Sequence, residues 1–211
     1  MSKELIIVFV KNIKLGKVKT RLAKTIGNQG AFEVYSELVK ITELATENML
    51  TDKRIYFSDV VIDGKWKNDY KTIQEGKNLG ERMKNAFKKG FEDGYERIVL
   101  IGSDLPDISS KHIENGLKNL NSSAVVFGPA IDGGYYLIGM TKMYHSIFND
   151  KPWSESHLLE VTLKELNQEK IPYTLLEALN DIDTFEDLEN SSFYQHNEAL
   201  QLKVKSLIGN V

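Results

Sequence analysis

Leu5-Ile6-Ile7-Val8-Phe9-Val10 runs directly into Lys11-Asn12-Ile13-Lys14-Leu15-Gly16-Lys17-Val18-Lys19-Thr20-Arg21. The first stretch is continuously apolar and rich in β-branched side chains, the composition of a strand covered by helices on both faces. The second gathers Lys11, Lys14, Lys17, Lys19 and Arg21 around Gly16, so a basic loop follows the strand. Phe32, Tyr35, Leu38, Val39, Thr42, Ala45 and Met49 then recur near helical spacing and predict an amphipathic helix of several turns. A buried strand, a polar loop and an amphipathic helix make the opening unit of an α/β fold.

The rest of the chain repeats that alternation. Arg54 to Phe57 reads as a second strand and Thr72-Ile73-Gln74 as a weaker one, with the polar stretch Asp59 to Tyr70 between them expected to be a surface excursion. Asn78 can cap a helix that turns Leu79, Met83, Ala86, Phe87 and Phe91 inward and ends near Gly94. Arg97 to Gly102 is a further apolar strand, leading through Ser103-Asp104-Leu105-Pro106-Asp107 to a helix capped by Ser109 or Ser110 and running through Leu120. Strands at Ala124–Phe127 and Tyr135–Met140 flank Gly128-Pro129-Ala130-Ile131-Asp132-Gly133-Gly134. Ser156 to Gln168 is expected to be helical, Tyr173 to Leu176 extended, Thr184 the start of a short helix, and Phe193 to Leu207 one final helix. This order predicts a single α/β domain over residues 1–211, a mostly parallel mixed sheet with helices on both faces. Ligands of such sheets bind beyond the carboxyl ends of the strands, which directs attention to the polar segments just after apolar runs.

Composition removes several classes of function. The chain has 211 residues, 41% hydrophobic and 27% charged, which suits a folded domain with a substantial core and excludes a disordered chain. A net charge of -3 supplies no global attraction for nucleic acid or an anionic membrane. The absence of cysteine excludes disulfides, thiolate nucleophiles and iron–sulfur clusters, and fits a reducing, cytoplasmic setting. The run Leu5–Val10 is far too short for a membrane helix and lacks a signal-cleavage site. His112, His145, His157 and His196 are scattered without zinc spacing, with His157 alone near a candidate site segment. No Gly-x-Ser-x-Gly elbow is present, which leaves a serine hydrolase without support. Neither a heptad repeat nor an isolated apolar stripe marks an interface, so monomer and homodimer are equally compatible with the sequence.

Three segments can carry chemistry. The basic loop could be a solvated surface, but backbone N–H groups, a flexible Gly16 and cations after a buried strand suit polyphosphate binding better. It matches neither a Walker A loop nor a dinucleotide fingerprint. In the acidic turn, Asp104 is a hard oxygen ligand suited to Mg²⁺ or Mn²⁺, whereas Asp107 reads as a helix cap. Asp132-Gly133-Gly134 alone would be a hairpin turn, but its glycines allow close approach of a ligand and Asp132 could accept a proton or a hydroxyl contact. Asp181-Ile182-Asp183-Thr184 with Asp187 forms a capping box, which leaves Asp183 as a weaker second metal ligand.

These segments, taken in order, resemble the DUF2064 family of glycosyltransferase A-like proteins, also called radical-SAM/selenodomain-associated transferase 1. The resemblance is carried by Phe9-Val10-Lys11 through Gly16-Lys17-Val18-Lys19-Thr20-Arg21-Leu22, Asn78-Leu79-Gly80-Glu81-Arg82-Met83, Gly102-Ser103-Asp104-Leu105-Pro106-Asp107, Gly128-Pro129-Ala130 with Asp132-Gly133-Gly134-Tyr135-Tyr136-Leu137, Trp153-Ser154, and Asp181 to Leu188. It implies a nucleotide-diphospho-sugar transferase fold, related to molybdenum-cofactor and phospholactate nucleotidyltransferases as well as to glycosyltransferases. By this similarity Lys11, Gly16, Lys19, Thr20 and Arg21 of the basic loop would hold nucleotide phosphates, Gly80 and Arg82 would lie near the base or ribose, and Ser103 would also bind the nucleotide. Asp104 would bind the divalent ion, and Gly133, Gly134, Trp153 and Ser154 would face the acceptor. Two departures from the family pattern stand out: Asn12-Ile13-Lys14-Leu15 where a proline is usual, and Trp153-Ser154-Glu155 where Trp-Ser-Thr is usual.

The leading expectation is a Mg²⁺- or Mn²⁺-dependent transferase that takes a nucleotide or nucleotide-sugar and passes the glycosyl group to a small acceptor. Lys19 and Arg21 would stabilise the leaving diphosphate, and Asp132 would serve the acceptor. A second reading uses the same parts for nucleotidyl transfer with release of pyrophosphate. A third is a nucleotide-binding protein without turnover.

Overall fold

The computed structural model describes residues 3–208. Its centre is a sheet of seven strands: β1 (Glu4–Val10), β2 (Asp52–Phe57), β3 (Tyr70–Ile73), β4 (Arg97–Ile101), β5 (Val125–Pro129), β6 (Tyr135–Met140) and β7 (Tyr173–Leu175). They lie in the order β3-β2-β1-β4-β6-β5-β7. Only β6 runs antiparallel to its neighbours, because the turn after β5 returns the chain as a hairpin. In β1, Val8 stands opposite Ile55 on one side and Ile101 on the other.

The apolar run of β1 explains both layers. Ile6, Val8 and Val10 point into one core and Leu5, Ile7 and Phe9 into another, as side-chain alternation in a strand requires. The first core is closed by α1 (Thr20–Glu47), α3 (Ser110–Asn119), α5 (Phe185–Asn190), α6 (Ser192–Gln195) and α7 (Glu198–Ile208), and the second by α2 (Leu79–Glu92) and α4 (Leu158–Gln168). A short 3₁₀ turn at His145–Ile147 joins the second layer.

Local chemistry sets most boundaries. Asn78 caps α2 by accepting the Glu81 N–H, and Thr184 and Asp187 form the reciprocal capping box at the start of α5. Three expectations change. α1 begins at Thr20, well ahead of the stripe that starts at Phe32, and is interrupted at Gly27, whose φ of 74° and ψ of 165° no other residue type adopts readily. The expected final helix is two, because Ser191 caps α6 and Asn197 accepts the Leu200 N–H to start α7. The excursion after β2 is anchored to the core: Trp66 is buried against Phe57 and its indole N–H donates to Thr46 Oγ1 at 2.8 Å. Spacing carries no sign of this anchor, since a lone aromatic in a polar stretch has no period.

Candidate functional site

After β1 the chain crosses to β2 and β3 on one side of the sheet, and it returns to β4 on the other side. The carboxyl ends of β1 and β4 are therefore the point where the topology reverses, and two of the candidate segments emerge there.

A buried hydroxyl holds the two segments together. The Lys11 N–H donates to Tyr35 Oη at 3.0 Å, and Tyr35 Oη shares a hydrogen bond of 2.9 Å with Ser103 Oγ. Burial, with Asp104 nearby, holds the Tyr35 phenol well above its ordinary pKa, so it stays a neutral hydrogen-bonding strut. Asn12, also buried, fastens the basic loop on its other side: its Oδ1 accepts the N–H groups of Asp59 and Val60, and its Nδ2 donates to the Val60 carbonyl. A proline at this position could carry none of these bonds.

Lys19 is the residue on which the charges converge. It precedes α1 in a left-handed conformation, with φ at 44°. Its side chain is only 7% exposed, with Nζ 3.0 Å from Asp104 Oδ2 and 4.0 Å from Asp181 Oδ2. Burial opposes its ammonium, but Asp104, Asp181 and Asp183 outweigh burial and hold its pKa above that of free lysine. Arg21 Nη1 pairs with Asp183 Oδ2 at 2.7 Å. Burial, followed by the negative charge of Asp104, pushes the Asp181 carboxyl up to about 6, against the pull of Lys19, with Asp132 and Asp183 adding to the rise. Asp104, Asp132, Asp181 and Asp183 thus share one field.

The acids come together because the turn after β5 and the acidic turn after β4 are both stitched to the segment after β7. The Leu179 N–H donates to the Pro129 carbonyl, the Ile131 N–H to the Leu179 carbonyl, and the Ile182 N–H to the Asp104 carbonyl. Asp181 is the residue that sequence reasoning passed over, having read Asp181–Thr184 as a helix cap with Asp183 alone kept as a weaker metal ligand. A signal existed: in an extended segment, residues two apart project to the same side, so Asp181 and Asp183 belong together. Tyr35 left no such signal, because it sits on the core stripe of α1.

Other candidates sit elsewhere in the same rim. Lys11 and Thr20 are exposed, and Gly16, at φ 72°, packs beside Asn28. Ser103, expected to bind the nucleotide, is 3% exposed with its hydroxyl turned to Tyr35. Arg82 donates to the Gly76 carbonyl at 3.1 Å and so fixes the loop before α2. Gly80 lies flat under the Trp153 indole, where a Cβ would come within 2.4 Å of the ring. Beside them Asn78, Glu81, Lys84, Phe148, Asn149, Asp150, Lys151 and Trp153 line a cavity of about 390 Å³. Ser154 is exposed in a left-handed conformation. Gly133, expected to face the acceptor, is instead closed over by Ser156: a Cβ there would lie 1.7 Å from the Ser156 carbonyl oxygen. The Gly134 N–H donates to Asp132 Oδ1 at 2.8 Å, which leaves the other carboxylate oxygen of this exposed residue open.

Among the described residues no three His, Asp or Glu side chains are grouped to hold a metal ion by themselves. Mg²⁺ needs less than that, since it is commonly held by one or two carboxylates together with substrate phosphates. The partly exposed carboxylates of Asp104 and Asp183 fit that smaller requirement.

Comparison with known proteins bears on the family and the fold. Residues 56–155 match the family model "Uncharacterized protein conserved in bacteria (DUF2064)". A Desulfovibrio desulfuricans G20 protein, provisionally described as a nucleotide-diphospho-sugar transferase, is 32% identical, with 100% of this chain covering 98% of it at a TM-score of 0.84. The chain belongs to the DUF2064 family. A 2-phospho-L-lactate guanylyltransferase of Methanocaldococcus sp. (strain FS406-22) is 29% identical over 127 residues, 59% of the DUF2064 chain and 54% of that relative. The match thus spans about half the length of the curated relative. The inositol-1-phosphate CTP transferase of T. maritima shares the fold, at 16% identity and a TM-score of 0.54 over 97% of this chain and 96% of that one. With a transferase as its full-length relative, this DUF2064 protein is an enzyme of the transferase kind. Among its described residues no helix is long and apolar enough to cross a membrane.

Proposed function

We propose that the protein is a nucleotidyltransferase: an acceptor oxygen attacks the α-phosphorus of a nucleoside triphosphate, the bond to the bridging oxygen breaks, and pyrophosphate leaves. The observation that carries this reading is the buried Lys19 between Asp104 and Asp181, set at the β1–β4 switch point under a basic loop. Lys11, Lys19 and Arg21 would bind the triphosphate tail and stabilise charge on the departing pyrophosphate, while Asp132 takes the proton of the acceptor. Mg²⁺ or Mn²⁺, held by Asp104 with Asp183, would supply Lewis-acid stabilisation of the phosphate oxygens. Gly80 and Trp153 would bound the base or acceptor side of the site.

The sequence alone ranks glycosyl transfer ahead. Similarity in sequence to a guanylyltransferase reverses that order, because that relative carries a specific activity whereas the Desulfovibrio relative is only provisionally described. Transfer of a glycosyl group from a nucleotide-sugar remains the second reading, favoured by the description of the Desulfovibrio relative.

A thermal-shift panel of nucleoside triphosphates, diphosphates and nucleotide-sugars, with and without Mg²⁺ or Mn²⁺, separates the readings, since a ligand of the folded state raises its melting temperature. We expect a metal-dependent rise with a triphosphate, lost in Asp104→Ala, and pyrophosphate among the products. A larger rise with a nucleotide-sugar, with nucleoside diphosphate as product, would transfer the assignment to glycosyl transfer. No rise with any nucleotide would end both.

A further inference from the structure

Four carboxylates face one another at the site, yet the residue placed among them is a cation of the chain itself. Lys19 Nζ lies 3.0 Å from Asp104 and 4.0 Å from Asp181, on a side chain almost closed to solvent. Arg21 takes Asp183, and the Gly134 N–H takes one oxygen of Asp132. One ammonium and one guanidinium are thus shared among Asp104, Asp181 and Asp183, and the better buried of the two stands on Asp104, the carboxylate best suited to a divalent ion. No three ligating side chains among the described residues are left in an arrangement that could hold such an ion against this competition.

We propose that Lys19 is the resident counter-ion of the acidic cluster and that it makes metal binding conditional on nucleotide. In the nucleotide-free protein a divalent ion approaching Asp104 meets the ammonium at contact distance and is repelled. A polyphosphate offers the ammonium a more strongly charged partner, and the long flexible stem of lysine lets Nζ turn to it. Asp104 is then released to a metal that arrives with the phosphates. This order of events rests on the nucleotide reading above, but the role of Lys19 as counter-ion is testable without any nucleotide.

The experiment titrates the full chain with MnCl₂ and follows the electron paramagnetic resonance signal of free Mn²⁺. Without nucleotide, the wild type is expected to bind Mn²⁺ no more tightly than Asp104→Asn. Lys19→Met, which keeps the stem and removes the charge, should bind it roughly tenfold or more tightly, and adding Asp104→Asn to Lys19→Met should abolish the gain. Nucleotide-free wild type that binds Mn²⁺ well above the Asp104→Asn level would overturn the proposal by itself, even if Lys19→Met does not fold. A folded Lys19→Met without gain would also overturn it. Addition of GTP or CTP to the wild type should remove more free Mn²⁺ than the sum of what the protein and the nucleotide, itself a Mn²⁺ chelator, remove separately. Displacement of a fluorescent GTP analogue by GTP or CTP in EDTA reads nucleotide binding separately. Its absence there and with Mn²⁺ would strike the functional reading, whereas a missing gain in Lys19→Met strikes only the counter-ion.

Discussion

The two sides of the candidate site are held by opposite means. Around Lys19 the structure rests on charge: Asp104, Asp181 and Asp183 approach one another because Lys19 and Arg21 stand between them. Around Gly80 and Gly133 it rests on shape, with the Trp153 indole against one α-carbon and the Ser156 carbonyl against the other. Charged side chains can rearrange when a ligand arrives, whereas a backbone contact below van der Waals distance of a single added carbon cannot. The first side is therefore suited to exchange partners during a reaction, and the second to define a fixed wall.

If that contrast is right, substitutions on the shape side should cost the fold most. Gly133→Ala combines a φ of 91° with a backbone oxygen 1.7 Å from the new carbon, and should lower stability by about 3 kcal/mol or more. Denaturant melts read it, and a near-wild-type midpoint would show that the turn is soft. Gly80→Ala displaces a side chain and not a backbone, so a smaller loss of about 1–3 kcal/mol is expected. Loss of Trp153 fluorescence anisotropy, measured in a Trp66→Phe background, would report the ring leaving its place.

On the charge side the effect should depend on pH. The Asp181 pKa is raised to about 6, above its unfolded value, so the folded state retains a proton that the unfolded chain has released. Its contribution is favourable at low pH and fades as pH rises from about 4 through 6, leaving an unfavourable residue of roughly 1–3 kcal/mol at neutral pH. Asp181→Asn should raise the melting temperature at pH 7 and flatten its dependence on pH across that window. A pH profile parallel to the wild type would show that the acids are not coupled as the structure has them. The smallest change is expected in the second core, just past the Gly133 turn. Tyr135 Oη is buried without a partner, so Tyr135→Phe should be neutral or stabilising by about 1 kcal/mol. A clear loss of stability would reveal a bonded hydroxyl.

Elements with a period or a cap were legible before the fold was known. The β1 run, the α2 stripe behind Asn78 and the Thr184–Asp187 box each declare themselves within a few residues. Elements without local pattern were not. Trp66 is buried by Phe57 and Thr46, and the break between α6 and α7 turns on one asparagine. In the candidate site, the place of Asp104 after an apolar strand marks it from sequence, but Asp181 lies hidden inside a cap, and the Ser103 hydroxyl, expected at the nucleotide, bonds Tyr35.

What the sequence by itself determined is therefore the class of fold, the end of the sheet where chemistry gathers, and the types of charge brought there, because these follow from hydrophobic period and from which residues succeed a strand. Which charges meet was decided only by tertiary structure. Lys19 and Asp104 are 85 residues apart and Arg21 and Asp183 are 162 apart, and no local rule links them. Parallel strands carry their loops to one edge whatever the distance along the chain, and the stitching of residues 179–182 onto Pro129, Ile131 and Asp104 then sets Asp181 beside Lys19.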